Sequence, residues 1–202
     1  MRFGVLGTGQ VGSAVGGKLA ALGHDVMFGS RNPGNGKTGL PGAKVGSHAE
    51  ACARAQIVVN ALPGEFVIET LKGCTIDGKI VIDISNYNSA VDQPIVDPLG
   101  ELIQRTFPGA LVVKTLNSVS AHLMVDPADL GVVHSVFIAS NHAQAKAEVT
   151  ALLKAFGWRD IIDLGDLRAC RAMEQLIPLW MSLELVFDGP GFNLAVLRKQ
   201  PT

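Results

Sequence analysis

The sequence predicts an α/β fold, a doubly wound parallel sheet with a C-terminal helical extension. Short apolar runs alternate with stretches of helical periodicity along most of the 202-residue chain. The runs are apolar on both faces, which is typical of parallel strands that helices cover on both sides. Crossover connections between such strands are right-handed, and this handedness produces the doubly wound arrangement.

The periodicity sets the expected elements. The predicted strands are residues 2–6, 24–28, 43–46, 56–61, 79–84, 111–115, 136–139 and 160–164. The predicted helices between them are residues 10–22, 48–55, 66–72 and 144–156. A single long helix is expected over residues 167–187, with a kink at Pro178. Its apolar stripe indicates core packing for most of its length and a dimer or cleft role at the far end.

Composition argues against nucleic-acid and membrane partners. The formal net charge is −1, so no basic excess attracts nucleic acid. No stretch resembles a signal peptide, and the most apolar helix candidate is too short to span a bilayer. The three cysteines, Cys52, Cys74 and Cys170, are odd in number and widely spaced, which favours reduced thiols and a cytoplasmic protein.

A glycine-rich motif follows the first predicted strand and opens the first predicted helix. Gly7, Gly9 and Gly12 form G-x-G-x-x-G, the Rossmann fingerprint of dinucleotide binding in this context. The three glycines allow a tight turn, close approach to a pyrophosphate and close packing of helix on strand. The backbone N–H groups around Gln10 and Val11 would then face the phosphates.

The end of the second predicted strand carries Ser30, Arg31 and Asn32. Enzymes selective for NAD place a carboxylate there for the ribose 2′-hydroxyl. An arginine and a serine would instead bind a 2′-phosphate, and the guanidinium can stack on adenine. Lys37 could add a second positive charge. The sequence therefore favours NADP(H), and a solvated loop arginine is the alternative.

The ends of the later strands complete the expected crevice. Ala61, Leu62 and Pro63 follow one strand and would line the cofactor site. Three polar residues, Ser85, Asn86 and Asn117, follow the next two strands and could bind the nicotinamide carboxamide or ribose. Ordinary turn and helix-capping roles explain the same residue types equally well.

No catalytic constellation is apparent in the sequence. Lys114 lies in a predicted strand near the crevice and could donate a proton, but a strand lysine that snorkels to the surface is the simpler interpretation. Hydride transfer between two redox cofactors needs no nucleophile from the protein, and it requires only that the rings be juxtaposed and water excluded. We therefore expect an NADP-binding domain over residues 1–165 and a packed C-terminal helix and tail over residues 166–202.

Four segments resemble the NADPH-dependent reductases of the 5-deazaflavin coenzyme F420 and their relatives. These are LGTGQVGSAVGGKLAALGHDVMFGSRN, PGALVVKTLNSVSA, VFIASNHAQAKAEVTALLKAFGWRDIIDLGDL and RACRAMEQLIPLWMSLELVFDGPGFNLAVL. The resemblance implies that Thr8, Ser30 and Arg31 contact NADP, the last two at its 2′-phosphate. It also implies a second cofactor over the nicotinamide, in a cleft beside the C-terminal helix, often in a homodimer.

Two features of the sequence leave the electron acceptor open. Leu6 precedes Gly7-Thr8-Gly9, where the deazaflavin enzymes commonly carry another glycine. The segments IDISNYN and VVKTLNSVSA are more similar to the reductase domain of the STEAP metalloreductases, whose acceptor is a flavin. We expect NADP(H) with F420, FMN or FAD. The alternatives are a reductase of a small carbonyl or imine, with Lys114 or water as the proton source, and a non-catalytic dinucleotide sensor.

Overall fold

The computed structural model describes residues 1–35, 38, 40–88 and 97–199, in which eight strands form one sheet. The strands are β1 (Arg2–Leu6), β2 (Asp25–Gly29), β3 (Lys44–Gly46), β4 (Ile57–Asn60), β5 (Ile80–Asp83), β6 (Leu111–Thr115), β7 (Ser135–Ser140) and β8 (Asp160–Asp163). Their order across the sheet is β3-β2-β1-β4-β5-β6-β7-β8. This Rossmann-type α/β architecture confirms the predicted fold class, and each predicted strand is present.

Helices cover the sheet on both faces. They are α1 (Gln10–Ala21), α2 (His48–Arg54), α3 (Gly64–Lys72), α4 (Leu99–Thr106), α5 (Ala121–Val125), α6 (Ala143–Phe156), α7 (Cys170–Gln175) and α8 (Ile177–Val186). Short turns of 3-10 helix cover Pro33–Asn35, Pro127–Leu130 and Leu167–Ala169. The sequence had not indicated α4 or α5.

Alternation along the strands divides the core into two clusters. In β4, Val59 packs on the side of α1, α5 and α6, whereas Val58 packs on the side of α2, α3 and α4. In β5, Ile82 and Val81 divide in the same way. Successive side chains of a strand point to opposite faces, so strands that are apolar at every position require helices on both sides.

The last two strands depart from the expected parallel sheet. β7 runs antiparallel to β6, with Lys114 opposite Ala139, and β8 is parallel to β7. A parallel connection needs a crossover of a dozen or more residues, usually a full helix. Residues 116–134, between β6 and β7, are numerous enough for a crossover but form only the five-residue α5 and a 3-10 turn, with no full helix. The chain therefore returns along the sheet from the end at which β6 finishes.

The C-terminal extension is not the single helix that its periodicity predicted. The long helix is divided into the 3-10 turn at Leu167, α7 and α8, with the break at Leu176. Pro178 lies in the first turn of α8, where its missing N–H removes the bond that would continue α7. The assignment of residues 1–165 and 166–202 to two units stays a prediction.

The two helices of this extension differ sharply in burial. Cys170 and Met173 of α7 lie in the interior, whereas no residue of α8 is buried. Several large apolar side chains at this end are exposed: Leu179, Met181, Leu185, Val186 and Phe187. In the part of the chain that the structure describes, no helix has the length and apolar character needed to cross a membrane.

Candidate functional site

A cavity of about 710 Å³ opens at the carboxyl ends of four neighbouring strands. Residues 7–11 follow β1, residues 29–32 end or follow β2, residues 61–63 follow β4, and residues 84–86 follow β5. His48, Phe66, Glu69 and Thr70 complete the lining. β1 stands where the strand order reverses direction, between β2 and β4. Ligands of open α/β sheets bind at this position.

The glycine turn presents uncapped backbone to the cavity. Gly7 adopts φ +107°, and its N–H donates to the carbonyl of Gly29 at 3.0 Å. A Cβ on Gly12 would lie 2.1 Å from the carbonyl oxygen of Gly7, so a side chain there would push α1 away from the turn. The helix has Gly9 as its N-cap, with no side-chain cap and no acidic residue in its first turn. Its free N–H groups and dipole therefore favour an anion in the cavity.

Gly9 supplies a direct test of whether a ligand fits here. Apart from Gly9 itself and its neighbours along the chain, no atom of the described residues lies within 4 Å of the position that a Cβ on Gly9 would take. No contact in the described part of the chain therefore requires glycine at this position. The vacant space belongs to the cavity, so a phosphate group can approach the backbone of the turn.

The cationic end of the cavity lies beyond β2. The N–H of Ser30 donates to the carbonyl of Gly46 at 2.8 Å, and its hydroxyl accepts the N–H of Asn32 at 3.2 Å. The guanidinium carbon of Arg31 lies 5.8 Å from the centre of the Phe66 ring, within reach of a cation–π contact. Lys37 lies outside the described residues.

The carboxylates of β2 and of the cavity lining pair with cations other than Arg31. Asp25, at the opposite end of β2, pairs with Lys44 at 2.8 Å and also with Arg54. The Lys44 and Arg54 hydrogen bonds lower the pKa of Asp25 to about 2. Glu69 lines the cavity and pairs with Lys72. Arg31 is therefore the cation at the rim, with no carboxylate bonded to it in the described residues.

The polar residues after β5 form a hydrogen-bonded edge of the cavity. The hydroxyl of Ser85 donates to Asp83 at 2.6 Å, and the side-chain amide of Asn86 donates to the carbonyl of Asn117 at 2.7 Å. Asn117 in turn donates to Asn86 at 3.1 Å and to the carbonyl of Met173 at 2.9 Å. Ser85 and Asn86 line the cavity, whereas Asn117 lies behind them and is nearly buried.

Lys114 is fully buried, so the expectation that it snorkels to the surface is wrong. Its ammonium lies 2.8 Å from Asp83, 3.0 Å from Glu174 and 2.6 Å from the carbonyl oxygen of Ser85. Burial alone would lower its pKa, but the two carboxylates outweigh burial and raise the pKa of Lys114 above its usual range. A charged ammonium enclosed by three oxygens lies outside the cavity lining, so the geometry gives no support to a proton donor here.

Glu174 extends this buried cluster to the C-terminal extension. Its carboxylate accepts the backbone N–H groups of Leu99 at 3.0 Å and Gly100 at 3.4 Å, at the start of α4. The cluster thus joins β5, β6, α4 and α7, and through the Ser85 carbonyl it fixes the loop that borders the cavity. Neither a lysine in a strand nor a glutamate in an apolar stripe reveals such a partnership in the sequence.

Most of the cavity lining was predicted from the sequence. Residues 7–11, 30–32, 61–63 and 85–86 all line the cavity, and Gly29 and Ile84 lie at the same strand ends. His48, Phe66, Glu69 and Thr70 also line the cavity and were not predicted. His48 begins the helix that follows β3, whose carboxyl end lies at the same edge of the sheet. The order of the strands was the signal that could have found it. Gly12 and Asn117, which were also predicted as site residues, lie behind the lining and support it.

The fold and the glycine turn at the cavity are those of the dinucleotide-binding Rossmann class, and comparison with known proteins identifies the chain as an oxidoreductase. Residues 2–87 match the family model described as NADP oxidoreductase, coenzyme F420-dependent. A solved structure from Arthrobacter sp. FB24, a candidate F420-dependent NADP reductase, is 41% identical with a TM-score of 0.92 and covers 98% of this chain and 100% of its own. The chain belongs to the coenzyme F420-dependent NADP oxidoreductase family.

Two groups of curated relatives extend the comparison. The human metalloreductase STEAP2 is 33% identical over 86% of this chain, which spans 35% of that relative's length. The F420-dependent NADP reductase of Methanocaldococcus jannaschii is 24% identical over 97% of this chain and 98% of its own. The family model, the Arthrobacter structure and the Methanocaldococcus jannaschii reductase are all named for NADP, whereas STEAP2 is named as a metalloreductase.

The buried cluster yields a stability prediction. Lys114→Met leaves Asp83 and Glu174 buried without a counter-ion, so the free energy of unfolding should fall by about 3–5 kcal/mol. Lys44→Met, at the exposed pair with Asp25, is the matched control and should cost far less. Guanidinium unfolding of both variants measures the difference. Equal losses in the two variants would contradict the central role of the buried ammonium.

Proposed function

We propose that this protein transfers a hydride between NADP(H) and a deazaflavin or flavin acceptor, with coenzyme F420 as the first candidate. The observation that carries the proposal is the position of Ser30 and Arg31 in the same cavity as the uncapped glycine turn. A dinucleotide with its pyrophosphate at the glycine turn and a further phosphate at Ser30 and Arg31 is NADP. The family membership of the chain supports the same cofactor.

The arrangement of the cavity lining suggests which residues bind each part of the cofactor. The pyrophosphate would bind the N–H groups of Gly9, Gln10 and Val11 beside Thr8, where the helix dipole favours negative charge. The 2′-phosphate would bind Ser30 and Arg31, with the adjacent backbone of Asn32, and Lys37 remains a proposed contributor. The nicotinamide half would then lie towards residues 61–63 and 84–86. There Ser85 and Asn86 are already fixed by hydrogen bonds.

This arrangement requires little chemistry from the side chains. When bound, NADPH supplies the hydride, and the acceptor ring receives it. The chain contributes position: the turn after β1 and Arg31 hold the dinucleotide at two points, while Leu62, Pro63 and Ile84 offer apolar surface that excludes water. Because the Lys114 ammonium is enclosed, the alternative of a carbonyl or imine reductase loses its named proton donor.

Relatives matched along their whole length support F420 as the acceptor to test first. The Methanocaldococcus jannaschii reductase named for F420 is matched over 98% of its length, against 35% for STEAP2.

The free thiols of Cys52, Cys74 and Cys170 agree with our proposal that the reaction takes place in the reducing cytoplasm.

An acceptor assay tests the reaction. Purified protein and NADPH are combined with coenzyme F420, FMN or FAD in three separate reactions, and the absorbance of NADPH is followed in each. We expect rapid oxidation with F420. Oxidation with a flavin alone would move the acceptor to the flavin class. Tight NADPH binding with no oxidation by any acceptor would contradict an enzymatic role and favour the sensor interpretation.

Arg31→Ala tests the placement of the 2′-phosphate. Loss of a charged hydrogen bond should weaken NADPH binding by about 1.5–3 kcal/mol and leave NADH binding nearly unchanged. Arg168→Ala, which removes an exposed arginine paired with Asp166 away from the cavity, is the matched control. Isothermal titration with both nucleotides measures the effect. Equal weakening of NADPH and NADH by Arg31→Ala would contradict the assignment.

We further propose that the protein is a homodimer whose interface includes α8. This helix has no buried residue although it is strongly apolar, and Leu179, Met181, Leu185 and Val186 are exposed along it, with Phe187 at its end. A concentration of exposed apolar side chains on a folded protein commonly marks an interaction surface. A second copy would present the same patch, and two-fold interfaces are self-complementary.

Leu185→Glu tests the dimer. Leu185 is 84% exposed in the single chain, so a charge there should not unfold the protein but should disrupt an apolar interface. Val132→Glu places the same charge on an apolar side chain that is 66% exposed and lies outside α8, and serves as control. Light scattering coupled to gel filtration should show a dimer for the unaltered chain and the control, and monomers for Leu185→Glu. A monomeric unaltered chain would refute the proposal.

A further inference from the structure

We propose that His48 is a second cation for the 2′-phosphate, one that becomes charged when NADP(H) binds, so that binding takes up a proton. The inference deepens the proposed function and rests on the placement of the 2′-phosphate at Ser30 and Arg31. It assigns to His48 a role in the choice between NADP(H) and NAD(H) that depends on pH.

The sheet register brings His48 to the phosphate end of the cavity. Gly46, the last residue of β3, accepts the N–H of Ser30 at 2.8 Å, and His48 follows two residues later. A Cβ on Gly29 would lie 3.0 Å from both the Cα and the ring Cδ2 of His48. The imidazole therefore packs against the residue that precedes Ser30. The cavity lining includes His48 together with Ser30 and Arg31.

The imidazole is open to a ligand. His48 is only half-buried, and neither of its ring nitrogens hydrogen-bonds to any residue among those that the structure describes. The start of α2 is capped by Ser47, whose hydroxyl accepts the N–H of Glu50, so helix capping leaves the His48 ring unused. A ring that is partly desolvated, beside an arginine and without an internal partner, can donate to a phosphate oxygen.

The charges around His48 set the sign of its response. Burial, followed by the positive charge of Arg31, holds the pKa of His48 below its ordinary value of 6.5. The other charged groups on neighbouring elements have partners of their own. Glu50 bonds to Ser47, Glu69 to Lys72, Glu65 to the N–H of Asn88, and Asp25 to Lys44 and Arg54 at the far end of β2.

Binding of NADP(H) should change the imidazole of His48 from mostly uncharged to charged. At neutral pH the free imidazole is mostly uncharged, so Arg31 is the fixed cation of the pair. A 2′-phosphate carries close to two negative charges above its second pKa of about 6, and it would favour the charged imidazole. A pKa that is raised on binding means stronger binding at lower pH, and this gain is lost as pH rises through the raised value. NAD(H), which lacks the phosphate, should show neither effect.

Titration in buffers of different ionisation enthalpy, none containing phosphate, measures the proton directly. At about pH 7.5, where the 2′-phosphate of free NADPH has already lost nearly all of its second proton, the unaltered protein should take up a fraction of a proton with NADPH and none with NADH. His48→Gln keeps a donor but cannot be charged. It should abolish the uptake and weaken NADPH binding by about threefold to tenfold near pH 6.5, with the difference closing by about pH 8.5. His24→Gln, at the opposite end of the sheet, is the control and should match the unaltered protein.

Two further measurements make the result decisive. His48→Lys should restore tight NADPH binding without the pH dependence. Proton NMR on the unaltered protein should show the pKa of His48 rising by about one unit or more with NADP⁺ and not with NAD⁺. Unchanged proton uptake in His48→Gln, or an unmoved His48 pKa, would overturn the inference while the Arg31 result stands. If Arg31→Ala weakens NADPH and NADH equally, the proposed site itself fails.

Discussion

The structure depends most on the buried ammonium of Lys114. A charge in the interior is tolerated only with partners, and here the partners come from distant parts of the chain, Asp83 on β5 and Glu174 on α7. The ammonium also holds the carbonyl of Ser85, and Glu174 holds the start of α4. The Lys114 cluster therefore connects the sheet centre, the cavity edge and the C-terminal extension. Separating these parts would leave a buried charge without its partner.

This centre explains why the two ends of the cavity differ in character. The edge at residues 84–86 is tied by hydrogen bonds to buried groups, so it offers a nicotinamide a surface with fixed donors and acceptors. The opposite end consists of an exposed arginine, whose guanidinium lies over the ring of Phe66, and a half-buried histidine. The fixed edge can position a nicotinamide ring for hydride transfer, and the cationic end can bind the additional phosphate of the dinucleotide.

Local signals predicted much of this molecule, and long-range contacts decided the rest. Apolar runs located every strand, and the spacing of Gly7, Gly9 and Gly12 located the turn that the structure places over the cavity. The connection between β6 and β7 contains no full-length crossover helix, and apolar periodicity within a strand does not report the direction in which the strand runs. His48 escaped notice because a lone histidine at a helix start becomes informative only when the sheet register brings it beside Ser30.

The C-terminal extension shows how one apolar stripe can serve two purposes. Pro178 divides it, so that Glu174 and Met173 face the interior while α8 turns its leucines outward. Met173 accepts the amide of Asn117, which also bonds to Asn86 at the cavity edge. If a second copy covers α8, the interface lies a few residues along the chain from groups that fix the cavity. Dimerisation would then stabilise α7 against the sheet and, through Glu174 and Asn117, the edge on which the nicotinamide is proposed to rest.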